Sequence, residues 1–382
     1  MVRSEITRIL RWAVIACGLA VLAGAAVLWP NDSSGSADPL GLAADPIDAE
    51  VFSVDRLPCS TDETTTCSYI TFEIDEGPNR GNLTTIEQSL SRFFEAGDDV
   101  QLIETPLDDG STIYSFYDYQ RSDSLLVLAA LFIVAVVALG RWRGLGALGG
   151  LVISLGIIAF FALPSLVDGN NAVAVALVTA GAVAIVALYL AHGIGPATDV
   201  ALLSTFASLA ITGVLAAIFV ASAQFTGFTD DATFVLDALG TGIDPRGILL
   251  AGIVIGSLGV LDDVTVTQVS AVWELRTSRP TATDRQLFAS ALKIGRDHIS
   301  STVNTLFLAY AGAALPLLLL FSEIGQPLTT VATREVVATE IVRALVGSIG
   351  LVASVPISTW LAVKTASPAA PRRPAQRADP AV

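Results

Sequence analysis

The sequence predicts an all-α polytopic membrane bundle of about eight transmembrane helices with an inserted small extracytoplasmic β domain. Of its 382 residues, 53% are hydrophobic and only 15% are charged, a balance typical of membrane proteins. Eight apolar stretches are each long enough to cross about 30 Å of hydrocarbon. The acidic charge is local, because residues 30–123 hold 20 acidic and four basic residues. A solvated acidic surface needs no partner, so we expect no nucleic-acid binding.

The predicted spans share an apolar length of roughly 17 to 25 residues. They cover residues 10–29, 124–140, 145–167, 172–192, 198–222, 247–275, 301–322 and 337–363. The basic start and small residues of the first stretch also fit a secretory signal peptide. Its apolar run continues through Trp29, which favours a retained N-terminal transmembrane helix, residues 1–29.

Basic side chains cluster on one predicted side of the membrane. They are Arg3, Arg8, Arg11, Arg141, Arg143, Arg276, Arg279, Arg285, Lys293, Arg296, Lys364, Arg372, Arg373 and Arg377. The positive-inside rule makes that side cytoplasmic, so both termini lie inside and residues 30–123 lie outside. A seven-helix transmembrane domain at 124–366 then precedes a disordered cytoplasmic tail at 367–382.

The external segment divides into a tether, residues 30–48, and a β domain, residues 49–123. Five short runs rich in β-branched and aromatic residues, separated by Gly, Asn and Asp turns, predict five strands in an OB-like barrel or a sandwich. Cys59 and Cys67 favour a disulfide in an oxidising compartment, with two free thiols as the alternative. Without a nearby histidine they make a poor metal site.

Two adjacent carboxylates, Asp262 and Asp263, interrupt the sixth span. Ionisable groups in a span are costly and mark functional sites by default. We expect a broken helix near the inner half of the membrane, where the carboxylates bind a cation or a proton. Gly256 and Gly259 would permit close approach, and Thr267 shares the Asp263 face. The alternative is that one aspartate caps a new helix at the cytoplasmic surface.

Other polar side chains in the spans are candidate partners. Asn304 lies one to two turns inside the seventh span, so its amide needs a hydrogen bond, and we expect it to share a polar cluster with Asp263. Glu340 and Arg343 are three residues apart on one helix face. They form either a surface pair at the outer headgroups or, if deeper, a gate or counter-charge for substrate.

No cofactor is expected. The sequence contains no phosphate-binding G-x-x-x-x-G-K-[ST] and no G-x-G-x-x-G after a strand, so nothing supports direct ATP coupling. With two histidines in the chain and no H-E-x-x-H, a His-rich zinc site is excluded.

Several motifs in order give residues 125–360 a resemblance to a known family. They are GRWRGL at 140–145, the His192-Gly193 turn, GSLGVLDDV at 256–264, GRD at 295–297, NTLFLAY at 304–310 and GSIGL followed by Pro356. The chain resembles the YibE/F family of bacterial multipass membrane proteins. The resemblance implies a permease-like outline and the bacterial cytoplasmic (inner) membrane. In the family pattern the aspartate corresponds to Asp263, while Asp262 often has an apolar counterpart, which favours Asp263 as the functional group.

These observations predict a secondary transporter of a small solute or cation, working through Asp263 and not an enzyme. Its expected partners are the lipid bilayer and that solute, and a homo-oligomer or an envelope protein partner stays open. The alternative is a non-catalytic scaffold or signalling protein that binds a partner through its external β domain. Intramembrane hydrolysis is disfavoured, because Asp262 and Asp263 point about 100° apart on one helix and cannot face one another.

Overall fold

A computed structural model of the chain describes residues 2–31, 45–60, 65–89, 94–107, 111–229, 231–238 and 242–366. Most of the predicted tether and the predicted tail, residues 367–382, lie outside the described residues. The chain forms two compact units, one of Met1–Ser34 with Val136–Val382 and one of Gly35–Ala135.

The first unit is helical. Along the whole chain the helices are α1 (Val2–Val27), α2 (Ser122–Ile157), a π-helical turn (Ile158–Ala162), α3 (Leu163–Val167), α4 (Ala172–His192), α5 (Pro196–Ser222), α6 (Asp231–Ala238), α7 (Pro245–Ser278), α8 (Asp284–Ala313), α9 (Leu315–Glu323), α10 (Leu328–Ala332) and α11 (Glu335–Thr365). In the described part of the chain, six helical segments are long and apolar enough to cross a membrane, or seven if α8 and α9 form one bent span. The chain is therefore a multipass membrane protein, while the predicted count of eight is not confirmed.

The difference in count arises where two predicted spans meet without a loop. Residues 124–140 and 145–167 fall within one helical stretch of 46 residues, Ser122–Val167. The stretch is interrupted at Arg141, whose backbone angles (φ 51°, ψ −129°) are not helical. A non-glycine residue in this region is uncommon, so Arg141 marks a real break.

The seventh predicted span, residues 301–322, is broken. Helices α8 and α9 meet at Ala314 with a bend of 59°. Pro316 lies in the first turn of α9. Proline has no N–H to donate and its ring clashes with the preceding turn, so a helix bends or ends there.

The predicted break in the sixth span is wrong. Helix α7 runs without interruption from Pro245 to Ser278, and Asp244 caps its start by accepting a hydrogen bond from the Arg246 N–H at 3.1 Å. A carboxylate removes no backbone hydrogen bond, and interior glycines cost only about 1 kcal/mol each, which packing against neighbouring helices offsets. Neither aspartate therefore caps a new helix here.

Helices α5, α7 and α11 pack against one another, and α4, α8 and α1 surround them. The closest approaches occur at glycines. Gly350 of α11 lies against Thr212 of α5, and Gly295 of α8 lies against Val355 and Gln268. Small residues at four-residue spacing are typical of packed membrane helices, because they let backbones approach closely.

The second unit contains one curled five-stranded antiparallel sheet. Its strands are β1 (Ile47–Pro58), β2 (Thr66–Ile74), β3 (Leu83–Ser89), β4 (Asp99–Pro106) and β5 (Thr112–Tyr119), in the order β3-β2-β1-β4-β5. Its core packs Phe94 edge-on against Phe72 and Phe116. Among the described strands no ladder joins β3 to β5, so a closed OB-like barrel is not confirmed.

The structure joins Cys59 and Cys67 in a disulfide between the end of β1 and the start of β2. The carboxylate of Glu87 lies within 4.8 Å of both sulfur atoms. Glu87 accepts a hydrogen bond from the Ser60 N–H at 2.9 Å, and its bonds to Ser60 lower the pKa of this carboxyl below its usual range. Because both sulfur atoms are bonded to each other in the disulfide, neither is a thiolate that could bind a metal ion. The cluster is therefore a covalent cross-link between β1 and β2.

We expect the disulfide to stabilise the second unit. Exchanging both cysteines for serine should lower the free energy of unfolding of that unit by about 2–3 kcal/mol, because closing a short loop restricts the unfolded chain. Hydrogen exchange of the full-length protein would report the change as faster exchange of protected amides throughout the sheet, with exchange in the membrane helices unchanged. Equal exchange in wild type and the double variant would contradict this expectation.

Candidate functional site

Asp262 and Asp263 lie at the middle of the 34-residue helix α7, with different surroundings. Asp263 lies exposed on the outer surface of the bundle. Asp262 is partly buried, and its Oδ1 atom is inaccessible and has no hydrogen-bond partner. Helical spacing puts Leu258 and Val269 on the Asp262 face, and both are buried in the core. Asp262 therefore holds a polar atom among apolar side chains, a costly arrangement that proteins keep for function.

Asp263 and Asn304 form no hydrogen bond with each other in the described chain. Both side chains are exposed, as is Thr267, and no hydrogen bond joins any two of them in the described chain. Gly256 faces the hydroxyl of Tyr310, whereas Gly259 has open space around it. The cluster predicted around Asp263 and Asn304 therefore stays a prediction.

Hydroxyl groups line the contact between α5 and α7 next to Asp262. The Oγ1 atoms of Thr205 and Thr265 lie 2.8 Å apart, and both residues are fully buried. Thr265 also lies 3.0 Å from the carbonyl oxygen of Asp262, within reach to donate to it. Ser204 and Thr212 of α5 donate to carbonyls one turn earlier in their own helix. Each of these hydroxyls already has a hydrogen-bond partner within the protein. They therefore make the interior more polar without requiring a ligand.

Gln268 follows Asp262 by six residues, about one and a half turns of α7, and it connects three helices. Its side-chain amide donates to the carbonyl oxygen of Ala291 in α8 at 2.8 Å and to Thr359 Oγ1 in α11 at 2.7 Å. The side chain is buried, as are Ser354, Ser358 and Thr359 of α11. The core between α5, α7 and α11 is mainly apolar, and it contains several buried hydroxyls and the Gln268 amide.

Asp199 is a buried carboxylate that sequence reasoning missed. It lies in the first turn of α5, is 4% exposed, and accepts a hydrogen bond of 2.7 Å from the Tyr189 hydroxyl at its Oδ1 atom. Its Oδ2 atom lies 3.7 Å from Arg11 Nε of α1 and makes no hydrogen bond. The sequence showed only that Asp199 lies at the start of an apolar span, where an acidic residue commonly interacts with the helix N-terminus. Its contacts with α1 and α4 depend on packing alone.

Glu340 and Arg343 form the predicted pair. Arg343 donates to Glu340 Oε1 at 2.7 Å, and each side chain is about one quarter exposed. The Arg343 guanidinium also lies 6.0 Å from the ring centre of Tyr310 in α8. The pair therefore links α11 to α8, and its part in gating stays a prediction.

Asp199 and Asp262 can perform similar chemistry. Each has a buried carboxylate oxygen that accepts no hydrogen bond, but that of Asp199 lies 3.7 Å from Arg11, whereas Asp262 forms no ion pair within the described residues. Such an oxygen can take up a proton or contribute to the coordination of a small cation. Asp199 is six residues, about 9 Å, from Thr205 along α5, and Thr205 contacts Thr265 beside Asp262.

Comparison with known proteins identifies one family. The family model described as YibE/F-like protein matches residues 128–368, which confirms the resemblance seen in the sequence motifs. No curated protein and no solved structure matches the chain. Helix α1 and the sheet lie outside the matched residues.

Proposed function

The chain belongs to the YibE/F-like family, and on that premise we propose that it is a permease, a secondary transporter of a small solute or cation. One observation carries the proposal. A carboxylate at the middle of a membrane-crossing helix, Asp262, keeps a buried oxygen without a partner. Burying a carboxylate oxygen without a partner costs free energy. Coupling to a proton or a cation is a function that requires a carboxylate at such a position.

The proposal includes eight spans. The helical stretch Ser122–Val167 is about 69 Å long at 1.5 Å per residue, more than twice the hydrocarbon thickness of about 30 Å. A stretch of that length crosses twice, with the turn at the non-helical Arg141. The positive-inside rule then puts both termini on the cytoplasmic side of a bacterial inner membrane and the sheet outside.

Helix α1 belongs to this arrangement as a retained span. Its Arg11 faces Asp199, and the carbonyl of Leu28, the residue after the helix, accepts a hydrogen bond of 2.7 Å from Ser165. Arg11 is the charge that compensates Asp199 at the cytoplasmic end of α5. The sheet outside is OB-like in this proposal, supported by five antiparallel strands whose edge strands are β3 and β5.

Transport would run along the polar interior between α5 and α7. Asp262 takes up the proton or cation, the hydroxyls of Thr205 and Thr265 make the adjoining interior polar, and Asp199 is the second acidic group toward the cytoplasm. No enzymatic step is part of this function. Asp263 faces outward, so we assign the coupling group to its neighbour.

Reconstitution tests the proposal. The full chain in liposomes is expected to transport H⁺, Na⁺ or K⁺ along an imposed gradient at least tenfold faster than protein-free liposomes, or to melt at a higher temperature when one of these ions is raised, since a ligand that binds the folded state stabilises it. A protein that neither moves any of the three ions nor is stabilised by them would refute the assignment. Specific capture of an envelope protein by the sheet would then support the scaffold alternative.

A further inference from the structure

A cavity lies where the loop before α4 meets the start of α7. Its volume is about 440 Å³, within the range of roughly 300–1,000 Å³ that is typical of ligand pockets. Residues 169–173 line one side of it, and residues at the start of α7 line the other. The two helices touch here, because a Cβ added to Gly247 would lie 2.9 Å from the Cβ of Ala172. Both belong to the same compact unit.

Two opposite charges line this cavity without pairing. They belong to Asp244 and Arg246, and neither side chain forms an ion pair with the other or with any other residue that the structure describes. The carboxylate of Asp244 accepts one hydrogen bond, from the backbone N–H of Arg246 at 3.1 Å. The guanidinium of Arg246, a partly buried residue, donates to no group of the described chain. An acid and a base that share a cavity and leave each other unpaired can bind a ligand that carries both complementary charges.

The rest of the lining is mixed. Leu166, Val173 and Leu250 contribute aliphatic surface. Asn170 contributes an amide that is fixed in place, because its Nδ2 atom donates to Ser165 Oγ at 3.2 Å. Ligand pockets typically combine apolar walls with a few polar groups that orient the ligand. A ligand that suits this cavity therefore has an aliphatic part beside its two charges.

We propose that this cavity binds a small zwitterionic solute, an α-amino acid with an aliphatic side chain. The carboxylate of the solute accepts hydrogen bonds from the Arg246 guanidinium, whose planar donors match a carboxylate in pairs. The ammonium group of the solute donates to the Asp244 carboxylate. The aliphatic side chain of the solute contacts Leu166, Val173 and Leu250.

This inference names a solute class for the transporter proposed above, and it rests on that function for the role of the site. Asp262 is 15 residues, about 22 Å, beyond Gly247 along α7. The positive-inside rule puts this end of α7 outside, so a solute bound here is the external substrate whose movement Asp262 couples. Binding can be measured without ion movement. Binding without any flux would refute the transport proposal alone, and ion flux without binding would refute the solute site alone.

Ligand titration of the full chain in detergent tests the site. L-leucine is expected to bind and to raise the melting temperature, because a ligand that binds the folded state stabilises it. Two analogues each lack one charge: 4-methylpentanoate has no ammonium group, and 3-methylbutylamine has no carboxylate. Each should bind at least tenfold more weakly than leucine, since one charged partner in the cavity is then left unpaired. No binding of leucine, or equal binding of leucine and either analogue, would overturn the proposal.

A zwitterionic lipid head is the other source of these two charges. O-phosphoethanolamine carries a phosphate and an ammonium group but no aliphatic side chain, so it should also bind at least tenfold more weakly than leucine. Tighter binding of O-phosphoethanolamine than of leucine would assign the cavity to a lipid head and overturn the amino-acid proposal.

Two charge variants assign the partners. Asp244→Asn keeps an oxygen that can cap α7, so the start of the helix should stay intact. In this variant leucine should bind no more tightly than 4-methylpentanoate. In Arg246→Gln, leucine should bind no more tightly than 3-methylbutylamine. Leucine affinity that is unchanged in either variant would contradict the site.

A third pair of variants tests the cavity itself. Val173→Phe places a ring in the cavity and should weaken leucine binding about tenfold. Leu177→Phe is the matched control, because Leu177 lies one turn further along α4, is 43% exposed and does not line the cavity. It should leave leucine binding within about twofold. Equal loss of binding in the two variants would contradict a site in this cavity.

Discussion

Replacing Asp262 by asparagine is expected to reduce ion flux through reconstituted protein at least tenfold. Asparagine has nearly the shape of aspartate but can neither carry a charge nor exchange a proton. If Asp262 couples ion movement to transport, its removal eliminates the coupling group and leaves the helix packing intact. The measurement is the initial rate of H⁺, Na⁺ or K⁺ movement into liposomes that contain equal amounts of folded protein.

Asp263→Asn is the matched control. It removes the same charge from the adjacent, exposed position and should leave the flux within about twofold, because Asp263 does not face the packed interior. The reverse result, with flux lost in Asp263→Asn and kept in Asp262→Asn, would return the role to the residue that the family pattern favours.

The same Asp262 variant should be at least as stable as wild type. A buried carboxylate oxygen without a hydrogen bond costs about 1–3 kcal/mol, and the neutral amide loses part of that cost. A higher melting temperature in detergent, together with lost flux, would be the signature of a group kept for function at the expense of stability. A large drop in melting temperature would show instead that Asp262 has a structural partner.

Gly227→Ala is expected to destabilise the helical unit by about 2–4 kcal/mol. Gly227 follows α5 with φ +89°, a conformation that favours glycine, and an added Cβ would overlap the backbone carbonyl of Pro245 at the start of α7. Glu335 of α11 holds this turn by accepting hydrogen bonds from the Thr226 and Gly227 N–H groups at 2.6 and 2.7 Å. One methyl group therefore disturbs the point where three membrane helices are joined.

Gly325→Ala separates the two contributions to this effect. Gly325 also has a positive φ, +69°, but open space lies where its Cβ would be. The Gly325→Ala variant should therefore be destabilised by only about 1–2 kcal/mol, the conformational cost of a positive φ for a residue with a Cβ atom. Thermal melting of both variants in the same detergent makes the comparison. Equal losses would mean that the contact with Pro245 has no energetic weight.

Much of the fold was predictable because helix length and hydrophobicity are local properties. The predicted span 172–192 coincides with α4, whose start is marked by Asn171 accepting a hydrogen bond from the Ala174 N–H. The five β runs of the sequence became five strands. Caps and apolar runs can be read from a few adjacent residues, so no knowledge of packing was needed.

The positions of the helix breaks were not predictable in the same way. Glycines and adjacent aspartates in α7 suggested a break, yet packing against α4, α5 and α11 keeps that helix continuous. Pro316 carried the stronger local signal and lies at the actual bend. Proline removes a hydrogen bond and clashes with the preceding turn, whereas glycine and aspartate only weaken a helix.

The sequence drew attention to the two aspartates of α7 but could not tell which of them is partly buried. Which of two adjacent aspartates faces inward depends on the rotation of α7 within the bundle, and a helix that is apolar on nearly every side does not reveal that rotation. Asp199 was overlooked because its partners, Tyr189 and Arg11, come from other helices. Contacts between helices are tertiary information that periodicity does not contain.

The most direct test of the central claim is labelling of Asp262 with dicyclohexylcarbodiimide, an apolar reagent that reacts with carboxyl groups able to take up a proton. In the Asp263→Asn background, mass spectrometry should find the adduct on Asp262, and it should be suppressed by raising Na⁺ or K⁺ if a metal cation is transported, or by raising the pH if the proton is. Absence of the adduct in that background, or labelling that neither pH nor either cation affects, would contradict the claim that Asp262 exchanges protons or cations.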